Sequence, residues 1–170
     1  MGDPAFAAAL RLLSRRDYFR SALVVRLREQ GFGEGEIEEA VDRCEAYGYL
    51  DDERVARRFV ELRAVRRGWG ERRLKLELIK RGAPAEIATE AARLSPRVEV
   101  AALRTAVTKI ERRAQEGWWR LHERRARMVS SLVNRGFSVE AAIRAITELA
   151  DEREQAHARN EECGDPHDIS

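Results

Sequence analysis

Three copies of one short pattern constrain the fold of this chain more than any other feature. In each copy, a glycine follows two apolar residues that lie eight and four positions before it. The copies are Leu23, Leu27 and Gly31; Leu74, Leu78 and Gly82; and Met128, Leu132 and Gly136. Apolar residues four apart share one face of a helix, and a glycine after the last turn adopts the left-handed cap. The pattern therefore predicts an array of helical repeats rather than one compact enzyme.

Apolar periodicity predicts three helices in each of three consecutive repeats. The predicted repeats cover residues 1–50, 51–95 and 96–150, with a final helix ending near Ala150 and a flexible tail at residues 151–170. The fold class is therefore all-α: three tandem three-helix repeats that form an elongated, curved array. Charged residues make up 36% of the chain and aromatics only 6%, which suits exposed helices with narrow apolar stripes.

Side chains suited to catalysis or metal binding do not form a recognisable set. The three histidines, His122, His157 and His167, lack metal-binding spacing, and no glycine-rich phosphate loop with its lysine is present. The adjacent Asp51 and Asp52 could hold a divalent cation, but acidic residues at a helix start are more often caps. Asp17 is similarly placed to cap the second helix. We expect no enzyme activity, no catalytic residue, no cofactor and no metal.

The sequence also lacks the features of a membrane or secreted protein. No apolar run approaches the roughly 18 residues that a membrane helix needs, and the N-terminus lacks a basic-then-apolar signal. Cys44 and Cys163 are too few for a disulfide framework. We expect a soluble, cytoplasmic monomer that does not associate with membranes.

Basic residues concentrate in the middle of the chain. Residues 53–82 carry 11 basic and 4 acidic side chains, although the net charge of the whole chain is +2. Cations beside an exposed Trp69 could engage a nucleic-acid backbone or an acidic protein surface. Alternatively, Trp69 fills the core and the arginines are merely solvated. The candidate binding residues are Arg57, Arg58, Arg63, Arg66, Arg67, Trp69, Arg72, Arg73 and Lys75.

Several segments together resemble the RecX family. These segments are ALRLLSRR at residues 9–16, GYLDD at 48–52, RRFV at 57–60, RGWG at 67–70, RRL at 72–74 and RGFS at 135–138. The resemblance is dense over residues 5–95 and continues more thinly through the third predicted repeat. It implies tandem three-helix repeats, in agreement with the periodicity.

The resemblance also implies a function and a partner. Proteins of this family regulate RecA, the bacterial recombinase, by binding in the groove of the filament that RecA forms on single-stranded DNA. The usual result is inhibition, with less ATP hydrolysis, less strand exchange and less co-protease activity in the SOS response. The basic residues could meet either RecA or the DNA directly. Two alternatives stay open: a stand-alone single-stranded nucleic-acid-binding protein, and a helical scaffold that uses the apolar seam of residues 100–114.

Overall fold

The architecture over the described residues is entirely helical. A computed structural model describes the backbone of residues 3–162 and the side chains of residues 3–160. Its α-helices are α1 (Pro4–Leu13), α2 (Arg20–Glu29), α3 (Glu34–Ala46), α4 (Asp52–Arg67), α5 (Glu71–Lys80), α6 (Ala85–Ala92), α7 (Pro96–Glu111), α8 (His122–Asn134) and α9 (Val139–Glu162). A single 3-10 turn, Trp118–Arg120, precedes α8. Within this range no strand occurs, which confirms the predicted all-α class.

The chain divides into two compact units. The first unit is formed by Met1–Arg63 with Leu74–Leu94, and the second by Ala64–Arg73 with Ser95–Ser170. Both boundaries around residues 64–73 fall inside helices, so α4 and α5 each contribute residues to both units. The turn between these two helices belongs to the second unit.

The repeated glycine pattern is confirmed at all three of its positions. Gly31, Gly82 and Gly136 have φ values of +88°, +96° and +95°, which is the left-handed region. The backbone N–H after each glycine donates to a carbonyl five residues earlier: Phe32 to Leu27 (3.4 Å), Ala83 to Leu78 (3.1 Å) and Phe137 to Leu132 (3.4 Å). These bonds satisfy carbonyls that the end of a helix leaves without partners.

The apolar residues of the same pattern form the cores. All six are buried, five of them at 0% exposure. In the first unit, Leu23 and Leu27 of α2 pack with Ile37 and Val41 of α3. In the second unit, Met128 and Leu132 of α8 belong to one buried cluster that also contains residues of α7 and α9. Helix periodicity therefore decides which side of each helix is removed from water.

Side-chain caps at the helix starts agree with the sequence only in part. Asp51, one of the two aspartates that the sequence offered as a cap, accepts a hydrogen bond of 2.9 Å from the backbone N–H of Arg54 and so caps α4. Asp17 does not cap α2; its carboxylate lies 3.5 Å from the guanidinium of Arg58. The start of α2 is closed instead by Asp52, which is distant in sequence.

The last helix is longer than the sequence analysis predicted. It continues to Glu162 rather than ending near Ala150. Arg153 donates a hydrogen bond of 2.5 Å to Glu111 of α7, and the His157 ring lies edge-on to Trp119 at a centroid separation of 6.1 Å. These contacts hold residues of the predicted tail against the second unit. The tail residues after Glu162 lie outside the described range.

Candidate functional site

The turn between α4 and α5 packs closely against two other backbone segments of the second unit. A Cβ atom on Gly68 would lie 2.7 Å from the backbone nitrogen of Ala106, and one on Gly70 would lie 2.5 Å from the carbonyl oxygen of Gly136. The Gly70 N–H also donates to the Arg135 carbonyl at 2.9 Å. Both glycines are therefore needed because backbones approach closely here, which is a structural role.

Trp69, between these glycines, is half-buried rather than fully exposed. Its backbone N–H donates to the Ala64 carbonyl at 3.0 Å, which continues the end of α4. The guanidinium carbon of Arg73 lies 5.4 Å from the centroid of the indole ring. One side of the ring therefore already has a cation–π partner, and Trp69 offers less aromatic surface than the sequence suggested.

Four of the predicted binding residues belong to the first unit, and three of these have a partner within it. The partners are Glu53 for Arg57 (3.3 Å), Asp17 for Arg58 (3.5 Å) and the ring of Phe59 for Arg63 (5.7 Å to the centroid). The fourth residue, Lys75, is half-buried on α5. Carboxylates beside Arg57 and Arg58 offset the charge of these two arginines, which weakens the case for a polyanion site here.

The other five predicted residues belong to the second unit, where the end of α4 meets cations that the sequence analysis did not select. Lys109 of α7 donates through Nζ to the Arg66 carbonyl at 2.6 Å. Arg135, just after α8, donates through Nη1 to the Arg67 carbonyl at 3.1 Å. The last carbonyls of a helix lack partners and carry partial negative charge, so two cations there are stabilising. The side chains of Arg66, Arg67 and Arg72 are exposed.

Lys109 and Arg135 also line a groove between α7 and α8, with a volume of about 420 Å³. We call it the α7–α8 groove. It is lined by Lys109, Ile110, Arg113, Ala114, Gln115, Trp118, Arg124, Arg127, Met128, Ser131 and Arg135. Five of these residues are cationic, and none of the described residues lining the groove is acidic. The lining of the groove therefore combines apolar side chains with concentrated positive charge.

Burial and neighbouring positive charge both act on two of the groove cations. Burial, and then the nearby charges of Arg135 and Arg67, lower the pKa of the Lys109 ammonium. Burial, and then the charge of Arg113, lower the pKa of the Arg135 guanidinium. Repulsion between like charges disfavours the charged forms, so a bound anion would relieve it.

Counting charge by blocks concealed this groove in the sequence. Residues 83–170 carry 14 basic and 15 acidic side chains, which suggests no basic surface. A helical count would have found it, because Arg124, Arg127, Ser131 and Arg135 follow one another in steps of three and four. Such steps place the three arginines along one face of α8 and its C-terminal cap.

The acidic pair at the start of α4 is accounted for by capping. No group of three or more potential metal ligands occurs together in the part of the chain that the structure describes. None of the described helices combines the length and the apolar character that a membrane span requires.

Comparison with known sequences identifies the family. The sequence models of the first and second three-helix domains of RecX match residues 5–44 and 51–91. A regulatory protein RecX from Thermus thermophilus is 41% identical over 145 residues, covering 85% of this chain and 92% of the relative. The chain belongs to the RecX family. A further RecX, from Trichlorobacter lovleyi, is 40% identical over 91 residues, covering 54% of this chain and 59% of the relative.

Solved RecX structures share the helical fold. The crystal structure of RecX from Lactobacillus salivarius has a TM-score of 0.71 and 23% identity, and the match covers 86% of this chain and 94% of that one. A second crystal structure, of a regulatory protein RecX, also has a TM-score of 0.71, with 20% identity and coverage of 87% and 71%. The two matched RecX domains correspond to α1–α3 and α4–α6. That α7–α9 form a third repeat stays a prediction.

Proposed function

We propose that this RecX-family protein regulates RecA, mainly as an inhibitor, by binding in the groove of the RecA filament on single-stranded DNA. The observation that carries the proposal is the match, over most of the chain, to relatives named as regulatory proteins rather than as enzymes. Binding would lower ATP hydrolysis, strand exchange and SOS co-protease activity. The protein would act in the cytoplasm as a monomer, without a cofactor or catalytic residues of its own.

Exposed cations give the proposal a physical basis. Arg66, Arg67 and Arg72 are solvent-exposed in the second unit, and a filament presents many copies of its own surface together with DNA phosphates. Individually weak contacts to neighbouring protomers would add through effective concentration. A regulator that acts by occupying the filament needs such a surface but no catalytic residues.

The test is single-strand-dependent ATP hydrolysis by the cognate RecA, with this protein titrated well below the RecA concentration. Inhibition at a substoichiometric ratio is expected, because one bound molecule would hinder growth or cycling of a whole filament. Unchanged hydrolysis up to equimolar protein would contradict the proposal.

The contact residues are tested by charge reversal. The triple variant Arg66→Glu, Arg67→Glu and Arg72→Glu should lose filament binding in co-sedimentation while its circular dichroism stays unchanged. A matched control reverses three exposed arginines elsewhere in the second unit, Arg97, Arg104 and Arg144, with the same change in net charge. If both triple variants bind filaments equally well, these residues are not the contact surface.

A second candidate function is single-stranded nucleic-acid binding without RecA. The observation that favours it is the α7–α8 groove, whose cations have no carboxylate partner among the described residues. It predicts tight binding to a bare strand with a steep salt dependence and no effect on RecA hydrolysis. The ATPase assay therefore separates the two functions.

A further inference from the structure

The α7–α8 groove differs from the basic surface of the first unit in the partners of its cations. Arg57 and Arg58 in the first unit each lie beside a carboxylate. By contrast, none of the five groove cations forms an ion pair with a described acidic side chain. Like charges held together raise the free energy of the empty groove. The groove therefore favours an anionic ligand.

Three of the five cations are held in place by backbone carbonyls. Lys109 and Arg135 donate to the end of α4, and Arg124 donates to the Glu116 carbonyl at 3.4 Å. A lysine ammonium has three donors and an arginine guanidinium five, so each side chain keeps donors for a ligand. Side chains fixed in this way lose less conformational entropy when a ligand binds.

The cations form a row rather than a point cluster. Arg124 and Arg127 of α8 and Arg135, its C-terminal cap, follow one helical face over about 16 Å, at 1.5 Å per residue. Lys109, near the end of α7, and Arg113, in the turn that follows α7, supply two further cations. Donors spread along a groove in this way suit a linear ligand with repeated charge, not a single small anion.

We propose that the α7–α8 groove binds the phosphodiester backbone of a single-stranded nucleic acid. Four of its five cations are arginines, whose planar fork of donors matches phosphate oxygens in pairs. The site lies outside the basic block of residues 53–82. The inference rests on the second candidate function and deepens it, because it names the groove residues and the phosphodiester backbone as the contact; it holds whether or not RecA is the protein partner.

The aromatic lining of the groove indicates how the strand is recognised. Trp118, the one aromatic residue among the described lining residues, is only 3% exposed and belongs to the core. It offers no ring face on which a base could stack. Recognition should therefore depend on phosphates and not on base identity.

The test is fluorescence anisotropy of a labelled oligothymidylate with the full-length protein over a range of salt concentrations. The double variant Arg113→Glu/Arg127→Glu changes two groove cations that have no intramolecular hydrogen bond or ion pair among the described residues. It should weaken binding by about tenfold or more. The slope of log K against log salt should become shallower by about 1.4, or about 0.7 for each lost phosphate contact.

The control variant Arg104→Glu/Arg144→Glu has the same net charge and alters exposed residues outside the groove. It should change affinity by no more than about threefold, because exposed charges away from the strand are screened by salt. Equal losses in both variants, or no loss in the groove variant, would overturn the proposal. If the groove variant loses helicity, Arg113→Gln/Arg127→Gln is judged by the same criteria.

Three further measurements exclude other ligands and separate the inference from RecA regulation. Poly-L-glutamate should displace oligothymidylate poorly at equal charge concentration, and oligodeoxyadenylate should bind about as well as oligothymidylate. Effective displacement by polyglutamate would assign the groove to acidic proteins and refute the nucleic-acid assignment. The protein could bind a bare strand through Arg113 and Arg127 and yet leave ATP hydrolysis by RecA unchanged. That result would refute RecA regulation but not the groove assignment.

Discussion

The carboxylate of Asp52 accepts a hydrogen bond of 2.8 Å from the backbone N–H of Arg20. Asp52 is the first residue of α4 and Arg20 the first of α2, so one side chain closes the start of a helix 32 residues away. Phe19, the residue before α2, makes no side-chain cap of its own. The GYLDD junction at residues 48–52 therefore serves two helices: Asp51 caps α4, and Asp52 ties α4 to α2.

Removing the Asp52 acceptor should destabilise the protein. Asp52→Ala leaves the Arg20 N–H without its partner, and losing such a cap costs about 0.5–2 kcal/mol. Asp52→Asn keeps an oxygen that can accept the bond and should preserve most of the free energy of unfolding. Urea denaturation followed by circular dichroism measures both variants. Equal destabilisation by alanine and asparagine would show that the carboxylate charge, not the acceptor, is what matters.

The free energy of unfolding should depend on pH through the ionisation of Asp52. Burial raises the pKa of its carboxyl above the ordinary value, although the Arg20 N–H bond opposes the shift. The folded state then holds the proton more tightly than the unfolded state, so this group's contribution to stability falls as pH rises. Wild type should lose stability relative to Asp52→Asn as pH increases above about 4. If wild type instead gains stability relative to Asp52→Asn as pH increases, the predicted direction is wrong.

Adding one methyl group at Gly70 should be costly. A Cβ there would lie 2.5 Å from the carbonyl oxygen of Gly136 and 2.7 Å from the Phe137 nitrogen, and backbone atoms cannot move aside cheaply. Gly70→Ala should lower the free energy of unfolding by about 1–3 kcal/mol.

The matched control is Gly35→Ala, because Gly35 lies inside α3 and a Cβ there meets nothing within 4 Å. That variant should be neutral or more stable by up to about 1 kcal/mol, since alanine favours helix. Both are measured by urea denaturation. Similar free energies for the two variants would refute the close approach at Gly70.

The thiol of Cys44 should be unreactive in the folded protein. Its side chain is 0% exposed, and burial raises the pKa of its thiol. In a Cys163→Ser background, alkylation of Cys44 by iodoacetamide should be slow until urea unfolds the chain, because the thiolate is the reactive form. The raised pKa also means that Cys44 lowers stability as pH rises above about 8.5. Rapid alkylation in native buffer would contradict its burial.

Local patterns were sufficient to predict the helices and their faces. Steps of three and four residues select the buried side, and Gly31, Gly82 and Gly136 end helices because glycine alone enters the left-handed region without strain. These properties depend on a few neighbouring residues, so they could be predicted without coordinates. The predicted end of the last helix was wrong because distant contacts act there. Glu111 and Trp119, far away in sequence, contact α9 beyond Ala150.

The candidate site was only partly predictable, because charge counts ignore which side chains meet. The sequence by itself determined the all-α class, the family resemblance and the helix ends at the three glycines, and it limited the cap of α4 to Asp51 or Asp52. Only the tertiary structure decided that Asp51 caps α4 while Asp52 closes α2, and that Arg57 and Arg58 have carboxylate partners. It also decided that α7 and α8 build a groove whose five cations form no ion pair with a described acidic side chain. Electrostatic and hydrogen-bond energies depend on distances across the fold, and residues far apart in sequence acquire those distances only when the helices pack.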